Sequence, residues 1–253
     1  AARETAQAIV KSNGSALAET VDVTDTEQVK ALMQRLAATF GRLDVLVNNA
    51  GIGVIGAVEE ISMDLHRAVM ETNYFGTVRC MQAVLPAMRE RKSGTIINIA
   101  SVAGKVYGQA HGAYCASKAA VEAISESLAQ EVAPFGIRVA IVEPGVIETP
   151  IFESSNPLPA KTNYPNSRRL DALFRVSLEN HVPPEVVGEV VKDIVEGRSM
   201  AFRNPAGPDA LPFLQGRAST PDEHWIMAHC MDDETWIKNN EAAFGPNLRR
   251  YMK

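Results

Sequence analysis

The sequence predicts an α/β fold with a doubly wound parallel sheet that is covered by helices. Three nearly continuous apolar runs carry this prediction: LDVLVNNAG, GTIINIAS and GIRVAIVEPG. Each run is typical of a strand that is buried on both of its faces, and helical patterns separate the runs. Strands that alternate with helices form βαβ units with right-handed crossovers, so we expect helices on both sides of the sheet.

Composition limits the class of protein. The chain has 253 residues, of which 46% are hydrophobic and 22% charged, as in a globular domain with a sizeable core. The net charge is −5 and the basic residues are scattered, which argues against a nucleic-acid partner. The 3 cysteines form no CxxC motif, so we predict no disulfide framework, no metal site and a cytoplasmic location. No apolar run reaches the ~20 residues of a membrane span.

The other elements before Pro144 follow from periodicity and capping signals. The chain begins inside a helical pattern, AARETAQAIVKSNG, and residues 16–23 (ALAETVDV) resemble a short strand. Thr24 or Thr26 is expected to cap the next helix. A long helical region follows over about residues 62–91, and another helix is predicted over 112–132.

The segment after Pro144 changes character, with Pro- and Gly-rich stretches between short helical patterns. We interpret residues 151–253 as a C-terminal helical cap that covers a substrate, within one domain that spans residues 1–253. The stretch SMAFRNPAGPDA is the nearest candidate for a final strand.

Polar residues and turns follow the three strands at the edge where a parallel sheet binds ligands. They are Asn49, Ala50, Gly51, Ser101, Pro144 and Gly145. Tyr114 and Lys118 are four residues apart, so they share one face of the helix over 112–132. Each feature alone has a plain alternative: a turn, a strand-ending serine, or a phenol and a snorkelling lysine at the rim of the core.

Together these side chains suit proton transfer to an oxygen atom. A phenol has a pKa of ~10, and lowering it to ~7 requires about 4 kcal/mol. A lysine ammonium ~4 Å away supplies about that much at an effective dielectric constant of ~20. Tyr114 could then exchange a proton with an alcohol or carbonyl, while Ser101 hydrogen-bonds the same oxygen. Because no side chain transfers hydride, the chemistry implies a nicotinamide cofactor, NAD or NADP.

Six motifs occur in the order found in one known family. They are DVTD, LDVLVNNAG, NYFG, INIAS, YCASK and EPGVIETP, and they span about residues 1–150. In these motifs the chain resembles the short-chain dehydrogenase/reductase family, whose fold is Rossmann-like. The resemblance implies an NAD(P)-dependent oxidoreductase that interconverts a secondary alcohol and a ketone.

The resemblance also implies roles for individual residues. Tyr114 would be the acid/base, Lys118 would lower its pKa and hold the nicotinamide ribose, Ser101 would orient the substrate oxygen, and Asn73 would anchor a relay water. The implied cofactor contacts are Asp22, Val23, Asn49, Ala50, Gly51, Tyr114, Lys118, Pro144, Gly145, Val146 and Thr149. Plainer interpretations remain: Asn73 could tie backbone groups, Asp22 could cap a turn, and Thr149 could cap a helix.

The chain departs from the family pattern at its start. The glycine-rich loop TGxxxGxG, the strands on either side of it and the helix between them have no counterpart, so the first βαβ unit is absent from this chain. We expect these roughly forty residues to exist in the natural protein, and weak nucleotide binding if the chain is complete. Residues 16–23 would lack a neighbouring strand, and LDVLVNNAG would have an exposed edge.

The tail suggests the substrate. Apolar residues spread through it indicate a lipophilic alcohol or ketone, unless they only pack the cap: Phe152, Leu158, Phe174, Phe202, Phe213, Leu214 and Trp225. The small residues Ala116, Ala120, Ala123 and Ser127 form one helix face, which indicates a homodimer or homotetramer or else packing within the chain. The competing hypothesis is a non-catalytic binding or scaffold protein of the same descent that lacks the phosphate-binding loop.

Overall fold

A four-stranded parallel sheet forms the centre of the protein. The computed structural model describes residues 2–154, 162–164 and 167–252. The strands are β1 (Val45–Asn48), β2 (Gly94–Ile99), β3 (Ile137–Pro144) and β4 (Arg203–Ala206), in the order β1-β2-β3-β4. The three predicted apolar strands are therefore confirmed, and β4 lies in the stretch that the sequence nominated for a final strand.

Helices cover both faces of this sheet, as the parallel arrangement requires. The helices before β3 are α1 (Ala2–Lys11), α2 (Thr26–Phe40), α3 (Met63–Met70), α4 (Gly76–Arg91) and α5 (Gly112–Val132). Those after β3 are α6 (Ile151–Ser154), α7 (Ser167–Leu178), α8 (Glu185–Val195), α9 (Ala210–Ser219), α10 (Asp222–Met227), α11 (Asp233–Phe244) and α12 (Leu248–Tyr251). Helices α4 and α5 pack on one face of the sheet, and α8 packs on the other.

The strand predicted over residues 16–23 does not form. Residues 14–22 have no regular secondary structure and residue 23 lies in a turn, because no described strand lies beside this segment to accept and donate backbone hydrogen bonds. The outer edge of β1 has no strand neighbour among the described residues either, and Val47 there is 40% exposed, as expected for an open edge. The predicted caps were also wrong: Asp25 caps α2 and accepts hydrogen bonds from the backbone N–H groups of Glu27 and Gln28.

The long helical region is confirmed, with one irregularity that the periodicity did not indicate. Between α3 and α4 the chain forms a π-helical turn, Glu71–Phe75, before the α-helix resumes. A π turn adds one residue to a helical turn and is common at functional sites. This turn contains Asn73.

Helices α7, α11 and α12 build a helical cap with its own apolar cluster. Trp236 and Ile237 of α11 pack on α7 and α12, and each is 3% exposed. Arg169 of α7 is 2% exposed and donates hydrogen bonds to the Met231 carbonyl and the Asp233 carboxylate at 2.7 and 2.8 Å. The arginine therefore holds the segment before α11 against α7.

Candidate active site

A large cavity lies between the carboxyl ends of β1, β2 and β3 and the cap. Its volume is about 930 Å³. Ser101, Tyr114 and Lys118 line one part of it, and the loop Pro144–Gly145 lines another. This is the edge at which open parallel sheets bind ligands, so the sequence-predicted residues meet where the topology requires. We call this space the main cavity.

Helix α5 carries Tyr114 and Lys118 into the main cavity. The stripe that continues their face is buried, from Val121 at 1% exposure to Ser125 at 0% and Leu128 at 6%. Lys118 itself is 5% exposed, and its ammonium donates a hydrogen bond to the Ile99 carbonyl at 2.9 Å. An apolar stripe packed on the sheet thus fixes the orientation of the two polar residues.

Ser101 lies just beyond β2. Its backbone is extended, and its hydroxyl accepts a hydrogen bond from the Ala103 N–H at 3.1 Å, which caps a short 3₁₀ turn. The same hydroxyl donates to the Pro144 carbonyl at 3.4 Å. The serine therefore connects the ends of β2 and β3 at the floor of the main cavity.

The acidity of Tyr114 differs from the expectation. Burial raises the pKa of its phenol to about 12, and a hydrogen bond with the Ser101 side chain opposes this rise only in part. The Lys118 ammonium lies 5.7 Å from the centre of the phenol ring. Burial also lowers the pKa of Lys118 to about 8. In the chain alone, burial sets the direction of the Tyr114 pKa, and a lowering of this pKa by Lys118 stays a prediction.

Asn73 is fixed by the π turn and is 1% exposed. Its side-chain carbonyl accepts from the Ile52 N–H at 2.8 Å, and its amide donates to the Ile52 carbonyl and the Ser117 hydroxyl, each at 3.0 Å. A β-carbon on Gly51 would lie only 3.2 Å from the Asn73 carbonyl oxygen, so the loop after β1 approaches this side chain closely. Asn73 ties that loop to α5, as the plainer interpretation holds.

The residues assigned to the cofactor divide into two groups. The members that line the main cavity are Asn49, Gly51, Tyr114, Lys118, Pro144, Gly145, Val146 and Thr149. Those outside its lining are Asp22, Val23 and Ala50. Asp22 accepts hydrogen bonds from the backbone and hydroxyl of Thr24, which lower its pKa, so it closes a turn. Val23 packs its side chain against Gly76 at the start of α4.

The Asp209 carboxylate binds the backbone of the loop from Pro144 to Val146. The sequence patterns did not indicate this residue. One Asp209 oxygen accepts from the Val146 N–H at 2.9 Å, and the other is buried without a hydrogen-bond partner among the described residues. A β-carbon on Gly145 would lie 2.0 Å from that second oxygen, so only glycine fits. In the sequence, Asp209 could have been recognised by its position after Gly207-Pro208, just before the start of α9.

His111 is the second residue that the sequence reasoning missed. Its ring stacks on the Tyr114 ring, with centroids 4.6 Å apart and planes at 12°, and it lines the main cavity. In the sequence, His111 could have been recognised by its position at the start of the stretch HGAYCASK, about one helical turn before Tyr114.

The apolar residues that the sequence nominated in residues 151–253 lie in different parts of the structure. Phe152, Phe174, Phe213 and Trp225 line the main cavity. Phe202 instead packs against the core beneath the sheet, and Leu214 lines a separate crevice. Leu158 lies outside the described residues.

The described residues were compared with two further kinds of feature, a membrane-spanning helix and a metal site. None of the helices in the described part of the chain combines the length and apolar character that a membrane span needs. Within the same part, no three His, Cys, Asp or Glu side chains converge on a point where a metal ion could bind.

Known proteins resemble this chain over most of its length. The profile of the short chain dehydrogenase family matches residues 1–159. The 3-ketodihydrosphingosine reductase of Bacteroides thetaiotaomicron is 38% identical over 210 residues, which cover 80% of this chain and 77% of that protein.

Solved structures give the same result. A short-chain dehydrogenase from Streptomyces avermitilis superposes with a TM-score of 0.76 at 32% identity, over 96% of this chain and 86% of that one. A short chain dehydrogenase from Burkholderia cenocepacia in complex with NADP superposes with a TM-score of 0.64 at 28% identity, over 84% of this chain and 77% of that one.

Proposed function

The chain belongs to the short-chain dehydrogenase family of NAD(P)-dependent oxidoreductases that act on CH–OH groups, and from this premise we propose that it interconverts a lipophilic secondary alcohol and its ketone. One observation carries the proposal: Ser101 and Tyr114 stand at the wall of a single cavity of about 930 Å³. The rest of that wall is largely apolar, with Ile147, Phe152, Leu170, Leu173, Phe174 and Phe213 among its residues.

The side chains at the strand ends fit the nicotinamide half of the cofactor. Lys118 is buried with three N–H donors, and among the described residues only the Ile99 carbonyl accepts one of them. The remaining donors suit the hydroxyls of a ribose. Gly51 leaves the space beside this ammonium open, since an added β-carbon would lie 3.7 Å from it. We propose that Thr149 and the loop from Pro144 to Val146 contact the carboxamide side of the ring, and that Asn49 and Gly51 lie along the cofactor.

Each active-site residue then has a chemical task. When bound, the nicotinamide supplies or accepts the hydride. The Tyr114 phenol, whose pKa is about 12, is protonated at neutral pH, so it donates its proton to the carbonyl oxygen during reduction. The Ser101 hydroxyl accepts from the Ala103 N–H and turns its single proton from the Pro144 carbonyl to the same oxygen, which holds that oxygen in front of the phenol. Asn73 acts through the backbone it fixes.

The size and lining of the cavity support a lipophilic substrate. Phe152 and Phe174 contact each other edge to face with centroids 5.2 Å apart, and Phe174 contacts His111 in the same way at 5.5 Å. These rings make a continuous apolar wall from the cap to Tyr114. Burying an alkyl chain there gains about 0.8 kcal/mol per CH₂ group.

The experiment is a spectrophotometric assay of the purified full chain. NADH or NADPH is mixed with a series of long-chain ketones, and the loss of reduced-nicotinamide absorbance is followed. We expect turnover that increases with chain length, and loss of at least a hundredfold in kcat in Tyr114→Phe with cofactor binding retained. Full activity of Tyr114→Phe would refute the assigned mechanism. A wild-type protein that binds both cofactors but turns over no ketone or alcohol would favour the non-catalytic alternative.

Two further expectations belong to the same proposal. Ala116, Ala123 and Ser127 of α5 are exposed in the single chain, so this face is free to pack on a second copy. We propose a homodimer or homotetramer in the cytoplasm. Light scattering during size-exclusion chromatography tests the assembly, and an Ala123→Arg variant that stays oligomeric would argue against this face as the contact.

A further inference from the structure

His111 occupies a position beside the reacting tyrosine. It is the N-cap residue of α5, but its side chain does not cap the helix. Instead its ring stacks on Tyr114 and meets Phe174 at 74° with centroids 5.5 Å apart. Two aromatic rings therefore hold the imidazole in one orientation at the wall of the main cavity.

The hydrogen-bonding groups of this imidazole have no protein partner in the described part of the chain. Burial also lowers the pKa of His111 to about 4, so the ring is neutral near pH 7. A neutral imidazole has one N–H donor and one bare nitrogen acceptor. The imidazole is half-buried in the chain alone, and a ligand that fills this largely apolar cavity excludes water from it, so a hydrogen bond left unmade then costs about 1–3 kcal/mol.

The substrate is the natural source of this partner. The walls nearest the imidazole are aromatic, and Phe174 has no group that could hydrogen-bond with it. We propose that His111 is a specificity-determining residue that hydrogen-bonds a hydroxyl or amino group on a carbon next to the reacting one. The substrate class is then a long-chain ketone or secondary alcohol with a polar substituent beside the reacting carbon, which rests on the proposed function.

The geometry sets where this substituent lies. The Tyr114 phenol must contact the reacting oxygen, and the His111 ring stacks on the same phenol with ring centroids 4.6 Å apart. Such a separation covers few carbon–carbon bonds, so the substituent belongs to a carbon close to the carbonyl. A polar group at the far end of an alkyl chain would lie among the apolar residues of the cap instead.

Two ketones of the same chain length isolate this contact. The first is 3-ketodihydrosphingosine, which has an amino group on the carbon next to its ketone and a hydroxyl group one carbon further on. The second is octadecan-3-one, which has neither group. The measured quantity is the ratio of kcat/KM for the first ketone to that for the second. We expect the wild-type protein to prefer the substituted ketone.

Replacement of His111 should change this ratio. His111→Phe keeps a stacked ring but removes both hydrogen-bonding nitrogens, so the ratio should fall about tenfold, the value of one hydrogen bond. His111→Gln, which again offers a donor and an acceptor, should recover part of the preference. Phe152→Leu is the matched control, because it removes an aromatic ring from the same cavity wall that contacts Phe174 rather than His111. Phe152→Leu should affect both ketones similarly and leave the ratio unchanged.

A binding measurement separates this inference from the proposed function. Trp225 and Trp236 line the main cavity, so ligand binding can be followed by tryptophan fluorescence without turnover. The ratio of the two dissociation constants should change in His111→Phe as the kinetic ratio does. If wild-type protein reduces both ketones with a ratio that His111→Phe leaves unchanged, His111 does not select the substituent although the function stands. If neither ketone is turned over or bound, both proposals fail.

Discussion

Replacing Glu143 should reveal the free energy cost of a buried carboxyl group beside the active site. Glu143 is in β3, immediately before the loop that lines the main cavity, and is 2% exposed. Its side chain has no hydrogen-bond partner in the described part of the chain. Burial, and then the charge of nearby Glu122, raises its pKa from 4.5 to about 7, although Arg203 and Lys105 partly oppose this.

The sign of the effect follows from proton linkage. Between pH 4.5 and about 7 the folded protein keeps a proton on Glu143 that the unfolded chain releases. The free energy of unfolding therefore decreases as the pH rises through this interval and levels off above it. The shift corresponds to about 3 kcal/mol, because each pKa unit is worth ~1.36 kcal/mol. This is an upper bound, since the crevice beside Glu143 opens to solvent.

Glu143→Gln has no proton to lose and should not show this loss. Its free energy of unfolding, relative to wild type, should rise by up to about 3 kcal/mol between pH 5 and pH 8. The assay is urea unfolding followed by circular dichroism at four pH values and constant ionic strength. Glu126→Gln is the matched control: Glu126 is exposed, pairs with Arg203 and has a lowered pKa, so its difference from wild type should stay flat above pH 5. A flat difference for Glu143→Gln would refute the reasoning.

Three other predictions follow from single contacts. Asp209→Ala should free the Val146 N–H and loosen the cavity loop, so kcat/KM for the cofactor should fall about tenfold in steady-state kinetics. Asp209→Asn keeps a side-chain oxygen as acceptor and should retain most of the wild-type kcat/KM. Equal losses in the two variants would show that this hydrogen bond does not support cofactor binding. Arg169→Met should lower the free energy of unfolding by about 2 kcal/mol in urea, since its buried guanidinium pairs with the partly exposed Asp233 carboxylate at the start of α11. Arg168→Met, at the exposed neighbouring position, should cost far less. Reductase kcat/KM should fall as the pH rises through about 8, where Lys118 loses its charge, and a profile without this fall would show that the charge is not needed.

Local sequence patterns determined the frame of the protein. The apolar runs that became β1, β2 and β3 could be read directly, because burial on both faces demands side chains of one kind. The helix α5 was predicted with its observed bounds, Gly112–Val132, since the stripe from Lys118 to Val132 repeats at helical spacing. The order of the motifs likewise placed Ser101 and Tyr114 at one edge of the sheet.

The tertiary structure decided what depends on partners distant in the chain. Residues 16–23 have the sequence pattern of a strand but lack a described strand to pair with, and the π turn at Asn73 is not visible in an apolar periodicity. The pKa of Tyr114 is raised by burial among segments that are distant in the chain. Asp209 meets Val146 from 63 residues further along the chain. Strand pairing, desolvation and such hydrogen bonds are interactions between segments, so no local pattern encodes them, whereas amphipathic periodicity is a property of each segment alone.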